Sequence, residues 1–124
     1  MNIQEQFGRE IKFRGQLMSG EWVYGYLFKI WEKAYILWGT TNGLPNMTEV
    51  DPKTVGQYTG LKDKNDKEIY EGDVVYSKLH ELTGYIVYVG TAFNIQPFDH
   101  RGYVYLGEHD ESDIEVIGNV LEKK

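Results

Sequence analysis

The chain has 124 residues, 41% of them hydrophobic and 15% aromatic, with ten Tyr, no Cys and a net charge of −6. That length fits one domain or two small lobes sharing a core, and the apolar content excludes a disordered chain. The lack of Cys excludes disulfide frameworks, Cys-ligated zinc and thiol catalysis. With no apolar run long enough for a membrane span or a secretory leader, a cytoplasmic protein is expected.

Residues 1–10 are polar and aperiodic and read as a tail. Ile11-Lys12-Phe13-Arg14 alternates, which predicts a first strand with Ile11 and Phe13 facing inward. After the turn at Met18–Glu21, the stretch Trp22–Ile30 places Trp22, Tyr24, Tyr26, Phe28 and Ile30 on one face. Val23, Gly25, Leu27 and Lys29 fall on the other, and this period of two is the clearest strand signal in the chain. The aromatic face is expected to be core between the two halves. Its alternative is a binding surface, with Trp22 and Tyr24 as anchors, because Tyr and Trp dominate interface energetics.

Trp31-Glu32-Lys33 turns the chain into Ala34–Trp38, completing a hairpin. Gly39–Asn46, with its Thr, Asn, Gly and Pro, predicts a loop. Thr48-Glu49-Val50 predicts a short edge strand, and Asp51-Pro52-Lys53-Thr54 a single helical turn capped by Asp51. Gln57–Thr59 and Glu68–Tyr70 read as short strands around a turn at Lys62–Lys67. Five more short strands are predicted: Val74–Leu79, Tyr85–Val89, Ala92–Pro97, Tyr103–Leu106 and Glu115–Leu121. Glycines punctuate them, the pattern of a small barrel of SH3-like type.

The fold class is therefore all-β: an N-terminal β meander or hairpin lobe over residues 11–67 packed on a C-terminal SH3-like small β-barrel over 68–124.

Charge is unevenly placed. Residues 1–60 carry six Lys/Arg and six Asp/Glu, whereas residues 61–124 carry seven and thirteen, a net of −6. An acidic half repels phosphate backbones, so tight nonspecific DNA binding is not expected. The densest block holds Glu108, Asp110, Glu111, Asp113 and Glu115. It reads as a solvated loop or, more sharply, as a patch for a basic partner.

Catalytic and metal motifs fail one by one. A calcium loop starting at Asp63 has Lys67 at position five, Glu68 where Gly belongs and Val74 where the bidentate Glu belongs. His80, His100 and His109 lack zinc-site spacing and are expected on the surface. Ser19, Ser77 and Ser112 lack a nucleophile-elbow context, and there is no phosphate-binding glycine loop. No enzyme activity, metal or cofactor is expected.

Two runs carry a resemblance. Gln57-Tyr58-Thr59-Gly60-Leu61-Lys62-Asp63-Lys64-Asn65 is followed by Glu68-Ile69-Tyr70-Glu71-Gly72-Asp73-Val74-Val75. Together they are similar to the signature of the YopX family. Ile11–Gly15 with Gly20–Gly25 resembles the family's opening, and Glu115–Val120 its closing strand. The sequence departs in having Asn65-Asp66 where Asn-Gly is usual, and in lacking an Asn-Pro-containing tail.

The resemblance implies an all-β fold with an SH3-like C-terminal part, and a phage or prophage accessory role in Gram-positive bacteria. It supplies no catalytic residues. The expected mode of action is protein binding, to a host or phage protein with a basic face, with self-association through an unpaired strand edge as a further expectation. The alternatives are nucleic-acid binding through Arg9, Lys12, Arg14, Lys29 and Lys33, and a structural role in a viral assembly.

Overall fold

The computed structural model describes residues 10–122, so most of the expected tail, including Arg9, lies outside the described residues. The described chain is all-β, with ten strands and two 3-10 turns, and it divides into two units, the first ending at Tyr58 and the second beginning at Thr59.

The first unit contains β1 (Phe13–Gln16), β2 (Trp22–Ile30), β3 (Lys33–Thr41) and most of β4 (Leu44–Lys62). All pairings are antiparallel, and they form a cycle: β1 with β2, β2 with β3, β3 with β4, and β4 back to β1. Gly25 makes the cycle possible. Trp22 to Gly25 pair with β1, and from Tyr26 onward the strand pairs with β3 instead. At that crossover a Cβ on Gly25 would lie 1.9 Å from the Leu37 carbonyl oxygen, so only glycine permits the approach.

Two expected elements change here. Gly39–Asn46 is no loop: β3 runs to Thr41 and β4 begins at Leu44, so the connection is Asn42-Gly43 alone. Both residues have positive φ, 53° and 79°, the two-residue hairpin turn whose twist matches that of the flanking strands. Asp51–Thr54 is not a helical turn, because β4 continues through it. The local bonds that suggested a turn do exist. The Lys53 N–H donates to Asp51 Oδ1 at 3.0 Å, and Thr54 Oγ1 donates to the Asp51 carbonyl at 2.6 Å. They shape an irregularity where the β1–β4 register shifts, and Thr54 Oγ1 accepts the Gln16 N–H at 2.7 Å.

Among the described residues, Ala34, Ile36 and Val50 form the buried cluster of this unit, with Phe13, Leu17, Val23, Leu27 and Val55 packed on it.

The second unit begins with the end of β4, which pairs with β5 (Glu68–Tyr70). The remaining strands are β6 (Asp73–Ser77), β7 (Leu82–Val89), β8 (Ala92–Pro97), β9 (Val104–Tyr105) and β10 (Ile114–Asn119). They form one antiparallel sheet in the order β10-β6-β7-β8-β9. The 3-10 turns Leu106–Glu108 and Glu111–Asp113 lie between β9 and β10. The core is larger and aliphatic: Ile69, Val75, Leu82, Ile86, Ile95, Leu106 and Ile114, with Phe93.

The charged run between β4 and β5 folds around one carboxylate. Asp63 Oδ1 accepts the N–H of Asn65 at 2.8 Å and of Lys67 at 2.9 Å, and Oδ2 accepts the Val116 N–H at 2.9 Å. Burial pushes the Asp63 carboxyl up, but these three backbone donors and the Lys67 ammonium outweigh it and hold it below the ordinary carboxylate value. Asp66 takes the left-handed conformation, φ 65°, and does the work that Gly would do there. A second carboxylate, Asp73, is buried and accepts the Tyr70 N–H at 2.8 Å. It closes the Glu71-Gly72 turn, where Gly72 has φ 88°.

Candidate interaction surface

Strand β2 settles which residues point out. Its inward residues are Val23, Gly25 and Leu27. The rings expected to be core face outward, and Tyr24, Tyr26, Phe28 and Ile30 are exposed. The expectation of a buried aromatic stripe is therefore overturned. The period of two was right, but a cluster as small as Ala34–Ile36–Val50 has room on its β2 side only for Val, Gly and Leu.

The outward residues form rows across three strands, because partners in an antiparallel ladder share a face. Tyr26 stands opposite Leu37 and Leu37 opposite Met47; Phe28 stands opposite Tyr35 and Tyr35 opposite Glu49. Tyr26 is 59% exposed, Met47 is exposed, and Tyr35 and Leu37 are half-buried. Lys33, opposite Ile30, ends the face. Its polar rim within these rows is one Lys and one Glu.

At the tip of the β2–β3 hairpin sits Trp31, 93% exposed, with φ 54°. A bulky side chain in the left-handed region costs about 1–2 kcal/mol, and nothing is gained from burial to offset it. Exposed Glu81 and His100 also have positive φ, so it is the large ring left in solvent, together with the strained backbone, that sets Trp31 apart. Sequence reading took Trp31 as a turn residue only; a Trp where Asn or Gly belongs was the available signal.

The other site residues are distributed as follows. Trp22 is half-buried, and the guanidinium carbon of buried Arg14 lies 4.2 Å from its ring centre, so this ring covers a cation. Lys12 lies over Tyr58 at 5.4 Å and pairs with Glu10 at 3.5 Å. Of the cations expected to contact nucleic acid, Lys29 and Lys33 are exposed and Arg14 is not.

In the acidic stretch, Glu108 pairs with His80 and Glu115 with Lys64 at 3.4 Å. Asp113 Oδ2 accepts the Asp110 N–H at 3.1 Å. Asp110 and Glu111 are exposed. Much of this block is committed within the chain, and the solvated reading describes it better than a free patch does.

The signature residues Gly60, Leu61, Asp63, Asn65, Glu68, Ile69, Tyr70, Glu71, Gly72, Asp73 and Val74 build the second unit. Ile69 and Tyr70 are buried, and the Tyr70 hydroxyl donates to Glu68 Oε1 at 3.0 Å. Gly60 has φ 89°, and the Gly72 N–H donates to the Ile86 carbonyl at 2.9 Å.

His109, expected on the surface, is buried. Its Nδ1 lies 3.1 Å from the Leu106 carbonyl, which can only accept, so in the neutral ring Nε2 accepts the Ser77 hydroxyl at 2.8 Å. Ser77 has no solvent exposure and also accepts the His80 N–H at 3.2 Å. The pair ties β6 to the 3-10 turn, and no substrate reaches it in this conformation.

An open groove of about 480 Å³ in the second unit is lined by Tyr85, Pro97, Phe98, His100, Arg101 and Tyr103. Its Arg101 is held by Asp99, which lies beside it in the loop. Among the described residues no group of three or more His, Asp or Glu could hold a metal ion, and no helix is long and apolar enough to cross a membrane.

These features define an all-β protein of two antiparallel sheets, with exposed aromatic and aliphatic side chains in rows on a sheet face of the first unit. The YopX family model, described as YopX protein, matches residues 12–123, and the chain belongs to that family. No curated protein matches it.

Proposed function

We propose that the protein is a non-enzymatic accessory protein of phage or prophage type that acts by binding protein. The outer face of β2–β3–β4 and Trp31 are its contact surface. The carrying observation is Trp31, 93% exposed and in a left-handed conformation beside the exposed rows of Tyr26 and Phe28. Hot spots are enriched in Trp and Tyr, and a fold gains nothing by leaving such residues strained in water. The acidic stretch adds little, because Glu108, Asp113 and Glu115 have partners within the chain.

The second unit serves as the scaffold, a small barrel of SH3-like type. Supporting this are a three-strand meander, a fifth strand paired to the first, and 3-10 turns before that last strand. Strand addition at its β10 edge is disfavoured, since that edge is bonded at Ile114 by the Lys64 N–H and at Val116 by Asp63.

The test is affinity capture from host lysate with and without nuclease, comparing wild type, Trp31→Asn with Phe28→Ser, and Glu111→Gln with Glu115→Gln. A specific protein captured by wild type and by the acidic-stretch variant, and lost with the face variant, is the expected result. Capture that disappears with nuclease moves the nucleic-acid reading to first place.

A further inference from the structure

We propose that the outer face of the first unit binds the same face of a second copy of this chain, giving a two-fold symmetric dimer. The inference rests on the reading of that face as the contact surface and names its occupant. Three observations select a second copy.

The first is area. The exposed parts of Tyr24, Tyr26, Phe28, Ile30, Trp31 and Met47 amount to roughly 600 Å², taking about 150–250 Å² for a whole aromatic side chain. That is the upper limit for the largest patch of a typical monomer, about 300–600 Å². One side of a standard interface buries about 800 Å², and half-buried Tyr35 and Leu37 with the rim supply the difference.

The second is charge. The rows carry Lys33 at one end and Glu49 on β4, and residues 1–60 have no net charge. Such a face selects neither an acidic nor a basic partner. It also meets its own copy without repulsion, although the whole chain carries −6. Phosphate backbones need clustered cations, and here a single Lys is accompanied by a Glu.

The third is shape. The face is a sheet surface with side chains at ladder spacing, and the surface that interdigitates with such side chains is another sheet face, about 10 Å away. A two-fold contact uses one patch twice, so every exposed row of one copy is covered by rows of the other.

Sedimentation velocity on the full chain, from about 1 to 200 µM, tests this by mass action. Wild type and Tyr88→Glu, an exposed position in the second unit, are expected to dimerise equally and to remain dimeric in 0.5 M salt, which is well above the screening range of about 0.1 M. Tyr26→Glu and Met47→Glu are each expected to weaken the dimer about 100-fold or more, with far-UV circular dichroism unchanged. A chain monomeric at every concentration overturns the dimer and leaves the contact-surface reading to the capture experiment. A dimer that forms equally well with Tyr26→Glu and Met47→Glu uses another surface and overturns this proposal, and the contact-surface reading then stands or falls with the capture experiment alone.

Discussion

Two hairpin tips, Trp31-Glu32 in the first unit and Lys62–Lys67 in the second, each place a non-glycine residue at positive φ: Trp31 at 54° and Asp66 at 65°. At the second tip everything around the strained residue offsets it. The Asp66 N–H donates to the Asp63 carbonyl at 3.0 Å, and the Asp63 carboxylate gathers three backbone donors. Asp and Asn reach the left-handed region at low cost because their short side chains bond locally. Trp has no such means, and Trp31 lies in solvent. One tip is strained in the service of the fold. The other is strained in a way the fold does not use, which separates the structural signature from the proposed contact surface.

The largest expected loss is at Asp63. Asp63→Ala leaves the Asn65, Lys67 and Val116 N–H groups without their acceptor and is expected to cost about 3–5 kcal/mol, measured by urea denaturation. Tyr26→Ser, which removes an exposed ring, is expected to cost less than about 0.5 kcal/mol. Equal losses would mean that the face belongs to the fold after all.

The same carboxylate sets an acid limit. Its folded-state value lies below the ordinary 3.8, so its contribution is fully present above that value and is lost as pH falls through the lower, folded-state value. Stability measured from pH 5 down to about pH 2 should fall less steeply in Asp63→Asn than in wild type, because the amide does not titrate there. An unchanged slope would remove Asp63 from the acid transition.

Ser77→Ala should cost about 1–3 kcal/mol by leaving buried His109 Nε2 and the half-buried His80 N–H without their partner. That loss belongs with the Asp63 side of the comparison, as a polar group used to tie the second unit together.

How much of this could be read from the sequence follows from the same physics. Alternation along β2 identifies a strand but not its inward face when both faces are apolar. The size of Tyr24, Tyr26 and Phe28 argued for burial, whereas the small cluster of Ala34, Ile36 and Val50 accepts only Val23, Gly25 and Leu27. Asn42-Gly43 carried the strongest short hairpin signal available. Pro45 and the surrounding Thr and Asn residues obscured it, although Pro fits β4 opposite Thr40. Asp51-Pro52 gave genuine turn chemistry in the wrong setting, a strand irregularity. The turn at Lys62–Lys67 is legible, because its Asp and Asn residues are turn formers that bond their own backbone. His109 is not, since its partners Ser77 and Leu106 come together only in the folded sheet.

The one expected gain in stability is the most informative about function. Trp31→Asn replaces a poor left-handed residue by a good one, and relief of that strain should stabilise the chain by about 0.5–1 kcal/mol. For a chain of this size that corresponds to a rise of a few degrees in Tm. The same variant should bind more weakly, because the exposed ring is gone. A gain in stability together with a loss of binding is the signature of a residue kept for contact at the expense of the fold. If Trp31→Asn instead lowers Tm, the ring must be making stabilising contacts of its own. The hairpin tip would then belong with Asp63, as structure, and the contact surface would shrink to the rows of Tyr26 and Phe28.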